Sequence, residues 1–227
     1  MKEYKLPIGC DVPETIILAD GDFPSHPLAL EWLRQCPYVV CCDGAANTYI
    51  RSGRMPEAIV GDGDSLLPDI KERYASLIHS EAEQETNDLS KAFRFCLSQE
   101  RKRITIMGAT GKREDHTIGN VSLLADYMEQ AEVSMMTDYG IFVPIREDSM
   151  FESYIGQQIS VFNMNSTALS AEGLAYPLSV FTNWWQGTLN EALARHFIIR
   201  TEGKVLVFRV FSVSYTHLRA HETKANL

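Results

Sequence analysis

Short apolar runs alternate with helix-patterned segments through the first 140 residues. Apolar side chains recur in the intervening segments at steps of three and four residues, as in Leu89, Phe93 and Leu97. Such alternation favours a mainly parallel sheet with helices on its faces. We therefore predict a Rossmann-like α/β domain over residues 1–140. Its expected strands are 15–18, 38–42, 58–60, 77–79, 104–107 and 133–136.

Two further helices are expected in this part. Leu28, Trp32 and Leu33 mark the first, and a second is marked by the regularly spaced apolar side chains of Ile118, Val121, Leu124 and Met128.

The pattern of apolar and turn-forming residues changes near residue 140. Strand-like runs at 141–145, 158–163, 197–201 and 204–211 are separated by Gly, Asn, Ser and Pro turn residues instead of long helices. Glu202-Gly203 between two of these runs predicts a hairpin. We expect a smaller antiparallel β domain over residues 141–212.

Residues 213–227 fit neither domain. They show no clear period, and their basic, His-containing character contrasts with the acidic remainder of the chain. We expect a non-native tail of vector origin, or disorder, and exclude it from the fold. A frayed native terminus is the alternative.

Composition narrows the classes of function. A net charge of −9 argues against a nucleic-acid duplex as partner, because duplex binders present basic stripes. No apolar run approaches the roughly 20 residues that span a bilayer, and the first ten residues lack the apolar stretch of a secretory signal. The five cysteines, an odd number without a C-x-x-C pair, indicate reduced thiols. We expect a cytoplasmic protein without membrane or nucleic-acid partners.

Aspartates follow several of the predicted strands. Asp20 and Asp22 come after the first, Asp43 after the second, and Asp62 and Asp64 after the third. The loop after the fifth strand adds charged residues at 112–115. Because loops at the carboxyl ends of parallel strands line a ligand crevice, these carboxylates should meet at one sheet edge.

Carboxylates that lie close together repel one another unless a cation neutralises them. Magnesium commonly binds one or two carboxylates together with substrate phosphates. In an extended stretch Asp62 and Asp64 would point to the same side. Gly-Asp-Gly-Asp is also a good turn sequence, so these two residues alone leave turn and metal site open. Together with Asp43, metal binding is the better interpretation.

Two further motifs have both a structural and a functional interpretation. Thr86 is a plausible helix N-cap and Asp88 suits the first helical turn, although Asp88 could bind metal and Lys91 could lie near phosphate. Gly108 and Gly111 could cradle phosphate with backbone N–H groups, helped by the charges of Lys112 and Arg113. Asp115 could instead cap the following helix.

Trp184 and Trp185 form a conspicuous pair in the β domain. Tryptophans are mostly core or interface anchors, and the residues alone favour a core position. Exposed, the pair could stack on a flat cationic heterocycle.

Taken in order, the motifs resemble the thiamine pyrophosphokinase (thiamine diphosphokinase) family. The matching segments span roughly residues 15–211. They are Asp-Gly-Ala-Ala-Asn (43–47), Gly-Asp-Gly-Asp-Ser (61–65), Glu-Thr-Asn-Asp-Leu-Ser-Lys-Ala (85–92), the loop 108–116, Gly-Leu-Ala-Tyr-Pro-Leu (173–178) and Gly-Thr-Leu-Asn-Glu (187–191).

The resemblance implies transfer of the diphosphate of ATP to the hydroxyl of thiamine with release of AMP, a C-terminal β-sandwich, and a homodimer with its active site between subunits. Asp43, Asp62, Asp64 and Asp88 would surround Mg²⁺, and Asp64, Asp88 and Arg113 would be catalytic. The expected nucleotide contacts are Asp43, Gly44, Asn47, Thr86, Lys91, Gly108, Thr110, Gly111, Arg113, Asp115 and His116. The expected thiamine contacts are Trp184, Trp185, Thr188 and Asn190.

Two positions depart from the family pattern. Leu189 stands where the family often has Ser, which puts details of the thiamine pocket in question, and Gly63 replaces a bulkier residue between two aspartates. The rival interpretations are a metal-dependent nucleotide-sugar transferase, which would release a different nucleotide, and a non-catalytic module that binds nucleotide or thiamine.

Overall fold

The protein is described from a computed structural model that covers residues 1–7, 11–81, 83 and 85–211. The predictions for residues 213–227 and the thiol of Cys10 lie outside these residues. The described chain forms two compact units, one of residues 11–138 and one that combines residues 1–7 with 139–211.

The element bounds are as follows. The strands are β1 (Lys2–Tyr4), β2 (Thr15–Leu18), β3 (Val39–Cys42), β4 (Ala58–Gly61), β5 (Ile78–Ser80), β6 (Arg103–Met107), β7 (Glu132–Met136), β8 (Gly140–Ile145), β9 (Ser149–Glu152), β10 (Gln158–Asn163), β11 (Leu169–Glu172), β12 (Asn190–Glu191), β13 (His196–Thr201) and β14 (Val205–Val210). The helices are α1 (Pro27–Gln35), α2 (Ala45–Arg51), α3 (Pro68–Arg73), α4 (Asp88–Ser98) and α5 (Glu114–Tyr127), with 3₁₀ turns at Ala75–Leu77 and Trp184–Gly187.

The first unit is built on six strands in the order β7-β6-β2-β3-β4-β5, each pair parallel. Every residue of β2, β3 and β4 is buried, as expected of central parallel strands covered on both faces. The chain adds β3, β4 and β5 on one side of β2 and then crosses to add β6 and β7 on the other. The carboxyl end of β2 is therefore the switch point at which ligands of such sheets bind. The expected α/β class is confirmed.

Three helices of this unit match the expected patterns to different degrees. In α1, Leu28, Trp32 and Leu33 are buried, and His26 caps the helix by accepting a hydrogen bond from Leu28 N at its Nδ1 (3.2 Å). In α4, Leu89 and Phe93 are buried. The predicted apolar face of α5 is wrong at its start, because Ile118 is 60% exposed and only the end of the helix is buried, at Leu124 and Tyr127.

Helices α2 and α3 were not expected. The segment 43–47, interpreted as a loop after a strand, is a loop only as far as Gly44, because α2 begins at Ala45. Neither helix is longer than seven residues, which is too short to establish a helical period. No helix of the described residues is both long and apolar enough to cross a membrane.

The second unit contains two sheets over one core. Strands β12, β10, β14 and β8 pair antiparallel, and β9, β13 and β11 form a second antiparallel set to which β1 adds in parallel. Phe151 is central to the core, since its ring stacks between Tyr4 (4.8 Å) and Phe197 (5.1 Å). The pairing of β1 with β9 places residues 1–7 in this unit, so their assignment to the first domain is wrong.

The predicted hairpin at Glu202-Gly203 is also wrong. Strand β13 pairs with β9 and β11, whereas β14 pairs with β8 and β10, so the turn links two different sheets. Gly203 has φ +128°, and a Cβ there would lie 2.7 Å from Ser166 Cα. The turn residues were identified correctly, but a turn signal does not specify which strands pair.

Truncation of Phe151 to Ala should lower the free energy of unfolding by about 3–5 kcal/mol, because it removes a fully buried ring from two stacked contacts. Urea unfolding followed by tryptophan fluorescence measures this. Ile155→Ala is the control, since Ile155 is 71% exposed and its truncation should change stability by less than about 0.5 kcal/mol. Equal effects of the two changes would contradict the placement of the core.

Candidate functional site

The loops that follow β2 and β6 are packed directly against each other. Gly21 N donates to Gly108 O (2.6 Å) and Asp22 N donates to Thr110 O (2.8 Å). A Cβ at Gly21 would lie 2.3 Å from Thr110 O, and one at Gly111, whose φ is +107°, would lie 2.2 Å from Asp22 Oδ2. Glycine is therefore required at both positions for the loops to approach this closely.

A cleft of about 480 Å³ opens beside these loops, within the α/β unit. It is bounded by the loops after β2 and β6 and by the starts of α4 and α5. Its charged and polar lining residues are Asp20, Asn87, Asp88, Thr110, Lys112, Arg113, Asp115, His116, Thr117 and Asn120. The structure thus brings Asp88, Thr110, Arg113, Asp115 and His116 of the predicted site together.

Asp43 lies behind this edge and is nearly inaccessible, with 3% of its surface exposed. Its Oδ2 accepts a hydrogen bond from Ser65 N (3.0 Å), whereas its buried Oδ1 has no hydrogen-bond partner. Burial raises the pKa of Asp43, and the charges of Asp88 and Asp62 raise it further against the opposing effect of the Ser65 hydrogen bond. The negative charges of Asp62 and Asp88 thus act on Asp43, and a cation beside Asp43 would offset this repulsion.

Asp62 and Asp64 are arranged as a turn. Asp62 Oδ1 accepts from Asp64 N (3.0 Å), and Gly63 between them has φ +77°. The expectation that an extended strand points both carboxylates to one side is wrong, because Gly63 reverses the chain. Both side chains are exposed, and Asp62, but not Asp64, is among the charges that raise the pKa of Asp43.

The start of α4 differs in one residue from the expected cap. Asn87 is the N-cap and its side chain accepts from Ser90 N (2.9 Å), so the assignment of Thr86 as the cap is wrong. Thr86 instead bonds Glu83 through its N–H and hydroxyl (both 2.7 Å). In the first turn of the helix, Lys91 Nζ lies 3.1 Å from Asp88 Oδ1, and Lys91 is only 4% exposed.

The start of α5 carries an exposed ion pair. Arg113 faces Asp115 with both arms of its guanidinium, with Nε donating to Oδ1 at 3.0 Å, and this hydrogen bonding lowers the pKa of Asp115. Asp115 is not the helix cap, as one interpretation had it: Arg113 holds the N-cap position, and Asp115 lies in the first turn. His116 lines the cleft beside this pair.

Gly44 and Asn47 are structural in this conformation. A Cβ at Gly44 would lie 2.7 Å from Asp20 Oδ2, so glycine leaves room for that carboxylate. The Asn47 amide donates to Ser65 O (2.8 Å) and accepts from Leu67 N (3.0 Å), which ties α2 to the loop after β4. Both residues support the site from outside the cleft.

The tryptophans of the β unit are exposed. Trp184 is 43% and Trp185 73% exposed, so the interpretation of the pair as core residues is wrong. The ring of Trp184 lies edge-on to Phe162, with ring centroids 5.9 Å apart. The short 3₁₀ turn that carries them is closed by reciprocal hydrogen bonds between Asn183 and Gln186, and a turn of this length buries neither ring.

Unlike the tryptophan rings, the side chains of Thr188 and Asn190 form hydrogen bonds within the protein. Thr188 Oγ1 donates to Trp185 O (2.7 Å). Asn190 is buried, accepts from Tyr176 N (3.0 Å) and donates to Tyr176 O (2.8 Å), so its amide holds the Tyr176 segment in place. Between them Leu189 is 76% exposed with φ +61°, a conformation that is uncommon for leucine.

Sequence reasoning missed Asn87, Asn120 and Cys42 as lining residues, whereas it placed Asp20 at the ligand edge of the sheet and Lys112 beside the expected phosphate loop. Asn120 Nδ2 donates to Ala109 O (2.9 Å) and its Oδ1 accepts from Asn87 Nδ2 (3.2 Å), which links α5, α4 and the loop after β6. The available signal for Asn120 was its spacing, since it follows His116 by four residues on one helix face.

Across the part of the chain that the structure describes, no group of three or more His, Cys, Asp or Glu side chains is arranged to hold a metal ion by itself. A cation bound here would need ligands from a substrate in addition to the carboxylates.

The geometry defines a two-unit protein, with a cleft lined by charged side chains at the carboxyl edge of a parallel sheet in one unit and exposed aromatic side chains in the other. Solved structures share this fold. They include thiamin pyrophosphokinase from Candida albicans (TM-score 0.76, 18% identity, 93% of each chain covered) and thiamine pyrophosphokinase from Bacillus subtilis (TM-score 0.74, 20% identity, 88% of this chain and 100% of that chain covered).

Two family models match in order along the chain. "Thiamin pyrophosphokinase, catalytic domain" matches residues 29–136, and "Thiamin pyrophosphokinase, substrate-binding domain" matches residues 140–208. The chain belongs to the thiamine pyrophosphokinase family.

Curated relatives agree with this assignment. Thiamine pyrophosphokinase 1 of Oryza sativa subsp. japonica is 30% identical over 129 residues, 46% of this chain and 49% of that protein. Thiamin pyrophosphokinase 1 of Caenorhabditis elegans is 30% identical over 110 residues, 44% of this chain and 45% of that protein. The chain spans about half the length of the curated relatives it matches.

Asp43→Asn should make the metal-free protein more stable at neutral pH. The pKa of Asp43 in the folded protein lies above its ordinary value of 3.8, so the folded protein holds the proton on Asp43 more tightly than the unfolded chain does. The stability that this proton provides is fully present below pH 3.8 and is lost as the pH rises through the folded pKa. Asn cannot ionise and tolerates the φ of +31° at this position. Relative to the unmodified protein, the variant should therefore gain on the order of 1 kcal/mol between pH 4 and pH 7.

Urea unfolding in EDTA at several pH values measures this gain. The control is Asp69→Asn, which removes an exposed carboxylate from the first turn of α3. A difference between the Asp43 variant and the unmodified protein that is independent of pH would refute the uncompensated buried charge.

Proposed function

We propose that the protein is a thiamine diphosphokinase that transfers the diphosphate of ATP to the hydroxyl of thiamine and releases AMP. The observation that carries this proposal is the group of Asp43, Asp62 and Asp88, of which Asp88 lines a cleft together with Lys112 and Arg113. This group lies within the segment that matches the family's catalytic domain. Carboxylates beside cations suit a polyphosphate that binds together with a metal.

The nucleotide phosphates would lie against the loop after β6. Arg113 offers a planar fork that fits phosphate oxygens, and Thr110 lines the cleft beside it. Gly108 and Gly111 let that loop turn, since both have positive φ. Lys91 neutralises part of the Asp88 charge from within the protein.

The chemistry of the residues present fits Mg²⁺, because Asp43 Oδ1 is a buried oxygen without a hydrogen-bond partner and the negative charges of Asp88 and Asp62 act on this carboxyl. The three carboxylates are not arranged as a complete ligand set, so substrate oxygens would have to supply the remainder. We propose that Asp43, Asp62 and Asp88 hold the ion, with Asp64 next to Asp62 in the turn, and that substrate phosphates complete its ligands. When bound, magnesium neutralises the charge that develops on the phosphates.

One carboxylate should orient the thiamine hydroxyl for in-line attack. Asp64 and Asp88 are the candidates. Of these two, Asp88 lines the cleft and Asp64 does not, so we assign the orienting role to Asp88. Arg113 would contribute by holding the transferred diphosphate.

Thiamine would be held by the β unit, whose residues 140–208 match the family's substrate-binding domain. Trp185 offers the exposed face that a cationic ring requires, and Trp184 lies beside it. The hydrogen bonds of Thr188 and Asn190 give these residues supporting roles, in that they position the Trp185 and Tyr176 segments.

We further propose that the parallel unit is a Rossmann-like nucleotide domain, that the two-sheet unit is a β-sandwich, and that the protein acts in the cytoplasm. The family resemblance supports a homodimer with the active site between subunits.

Purified protein incubated with ATP, Mg²⁺ and thiamine should form AMP and thiamine diphosphate in equal amounts, measured by chromatography. Asp62→Asn and Asp64→Asn should each reduce AMP release at saturating ATP by at least about 100-fold, while leaving the fold intact. The exposed variant Asp69→Asn serves as the control and should retain full activity. Near-normal turnover in both the Asp62 and the Asp64 variant would defeat the carboxylate assignment, and UDP or GDP release from a sugar nucleotide would replace the proposed reaction.

Trp185→Ala should raise the KM for thiamine by about 3- to 30-fold, since a cation–π contact contributes about 0.5–2 kcal/mol, and should leave the KM for ATP unchanged. Steady-state kinetics with each substrate varied in turn separates the two constants. Val180→Ala, which trims another exposed apolar side chain of the same unit, should change neither. An unchanged KM for thiamine in the Trp185 variant would remove this residue from the site.

A further inference from the structure

All three carboxylates among the described lining residues of the cleft are paired with a cation. Asp20 faces Lys112 (3.0 Å), Asp88 faces Lys91 (3.1 Å) and Asp115 faces Arg113. The two cations that reach the cleft, Lys112 and Arg113, are therefore neutralised by the protein itself. An incoming polyphosphate must compete with these carboxylates for them.

The Asp20–Lys112 pair has a particular position. A second cavity of about 140 Å³ adjoins the cleft and shares Ala19, Asp20, Gly21 and Lys112 with it, so the ion pair lies at the boundary between the two spaces. Both side chains are about half exposed, at 44% for Asp20 and 56% for Lys112. They can therefore change partners without opening the protein core.

The backbone under this pair is fixed. Asp20 and Lys112 belong to the two loops that Gly21 and Asp22 join by hydrogen bonds to Gly108 O and Thr110 O. Asp20 Oδ2 also lies in the space left open by Gly44, beside the turn that carries Asp43. Asp20 thus stands between a phosphate-binding cation and the acidic group behind the cleft.

We propose that the Asp20–Lys112 ion pair exchanges partners on binding: the polyphosphate takes Lys112, and Asp20 turns to the divalent cation that accompanies it. This inference rests on the proposed function and deepens it, because it assigns Lys112 to phosphate and makes Asp20 a positioning residue. Without a divalent cation, an anion that takes Lys112 leaves the Asp20 carboxylate unpaired beside it. Metal and polyphosphate therefore bind this cleft cooperatively.

Binding of two probes to the whole protein tests the exchange without any need for turnover. The first is α,β-methylene-ATP, whose bridging carbon prevents release of AMP, and the second is inorganic triphosphate. Calorimetry in EDTA and in Mg²⁺ gives the dissociation constants and their ratio, which is the enhancement by metal.

Asp20→Asn should tighten binding of both probes in EDTA by about two- to five-fold, the range expected for release of an exposed ion pair, and should reduce the enhancement by Mg²⁺. Lys112→Met should weaken binding with and without metal. In the Lys112→Met background, Asp20→Asn should lose most of its effect in EDTA, because the partner that it releases is gone. Glu31→Gln, which breaks the exposed Arg34–Glu31 pair on α1, is the matched control and should change none of these constants.

Three results would overturn the exchange: no gain in EDTA for Asp20→Asn, an unchanged enhancement by Mg²⁺, or effects of the two substitutions that simply add. Additive effects would show that Asp20 repels the anion from a distance and does not compete for Lys112. Binding of inorganic triphosphate with the expected coupling, but no binding of the nucleotide, would support the exchange and refute the proposed kinase. Failure of the unmodified protein to bind either probe would refute both.

Discussion

The close contact between the loops after β2 and β6 is the constraint on which the site depends. Two backbone hydrogen bonds, Gly21 N to Gly108 O and Asp22 N to Thr110 O, close this contact, and glycine is the only residue that fits at 21 and 111. Because the loops lie this close, a carboxylate from one reaches a lysine of the other. The cleft, its charge pairs and its place at the switch point of the sheet all follow from the pairing of β2 with β6. These strands are neighbours in space although 88 residues lie between their last residues, Leu18 and Met107.

The second constraint is the balance of charge among the carboxylates of the site. These carboxylates are compensated differently at the surface of the cleft and in the interior of the protein. At the mouth of the cleft, carboxylates pair with exposed cations, and such pairs contribute little to stability because water screens them. Deeper, Asp43 is almost inaccessible, and one of its oxygens is satisfied by Ser65 while the other has no hydrogen-bond partner. The exposed ion pairs of the cleft can therefore rearrange, whereas the charge of the buried Asp43 carboxylate remains uncompensated. That combination is typical of a binding site and is costly in a purely structural cluster.

Much of the α/β unit could be predicted because central parallel strands are continuous apolar runs, which is why all six were found close to their observed bounds. Some short elements, such as α2 (seven residues) and β12 (two residues), carry too few residues for a period to show. Local sequence patterns did not predict which strands pair. The turn at Gly203 was recognised, but it joins strands of two different sheets. Likewise the positions of the site residues followed from the strand ends. Their partners did not, because Asx turns, caps and ion pairs depend on where neighbouring loops arrive. The exposure of Trp185 was unpredictable for the same reason, since tertiary packing decides it.

Arg209 in β14 is nearly inaccessible, and its guanidinium donates to the backbone carbonyls of Tyr4, Lys5 and Glu152. A charge enclosed in this way needs those acceptors, and two of them come from the opposite end of the chain. Strand β1 can pair with β9 only after residue 149 has been synthesised, and Arg209 follows Tyr4 by 205 residues, whereas residues 11–138 are contiguous and can fold before either contact forms. Because closure of so long a loop has a high entropic cost, we expect the β unit to form after the α/β unit.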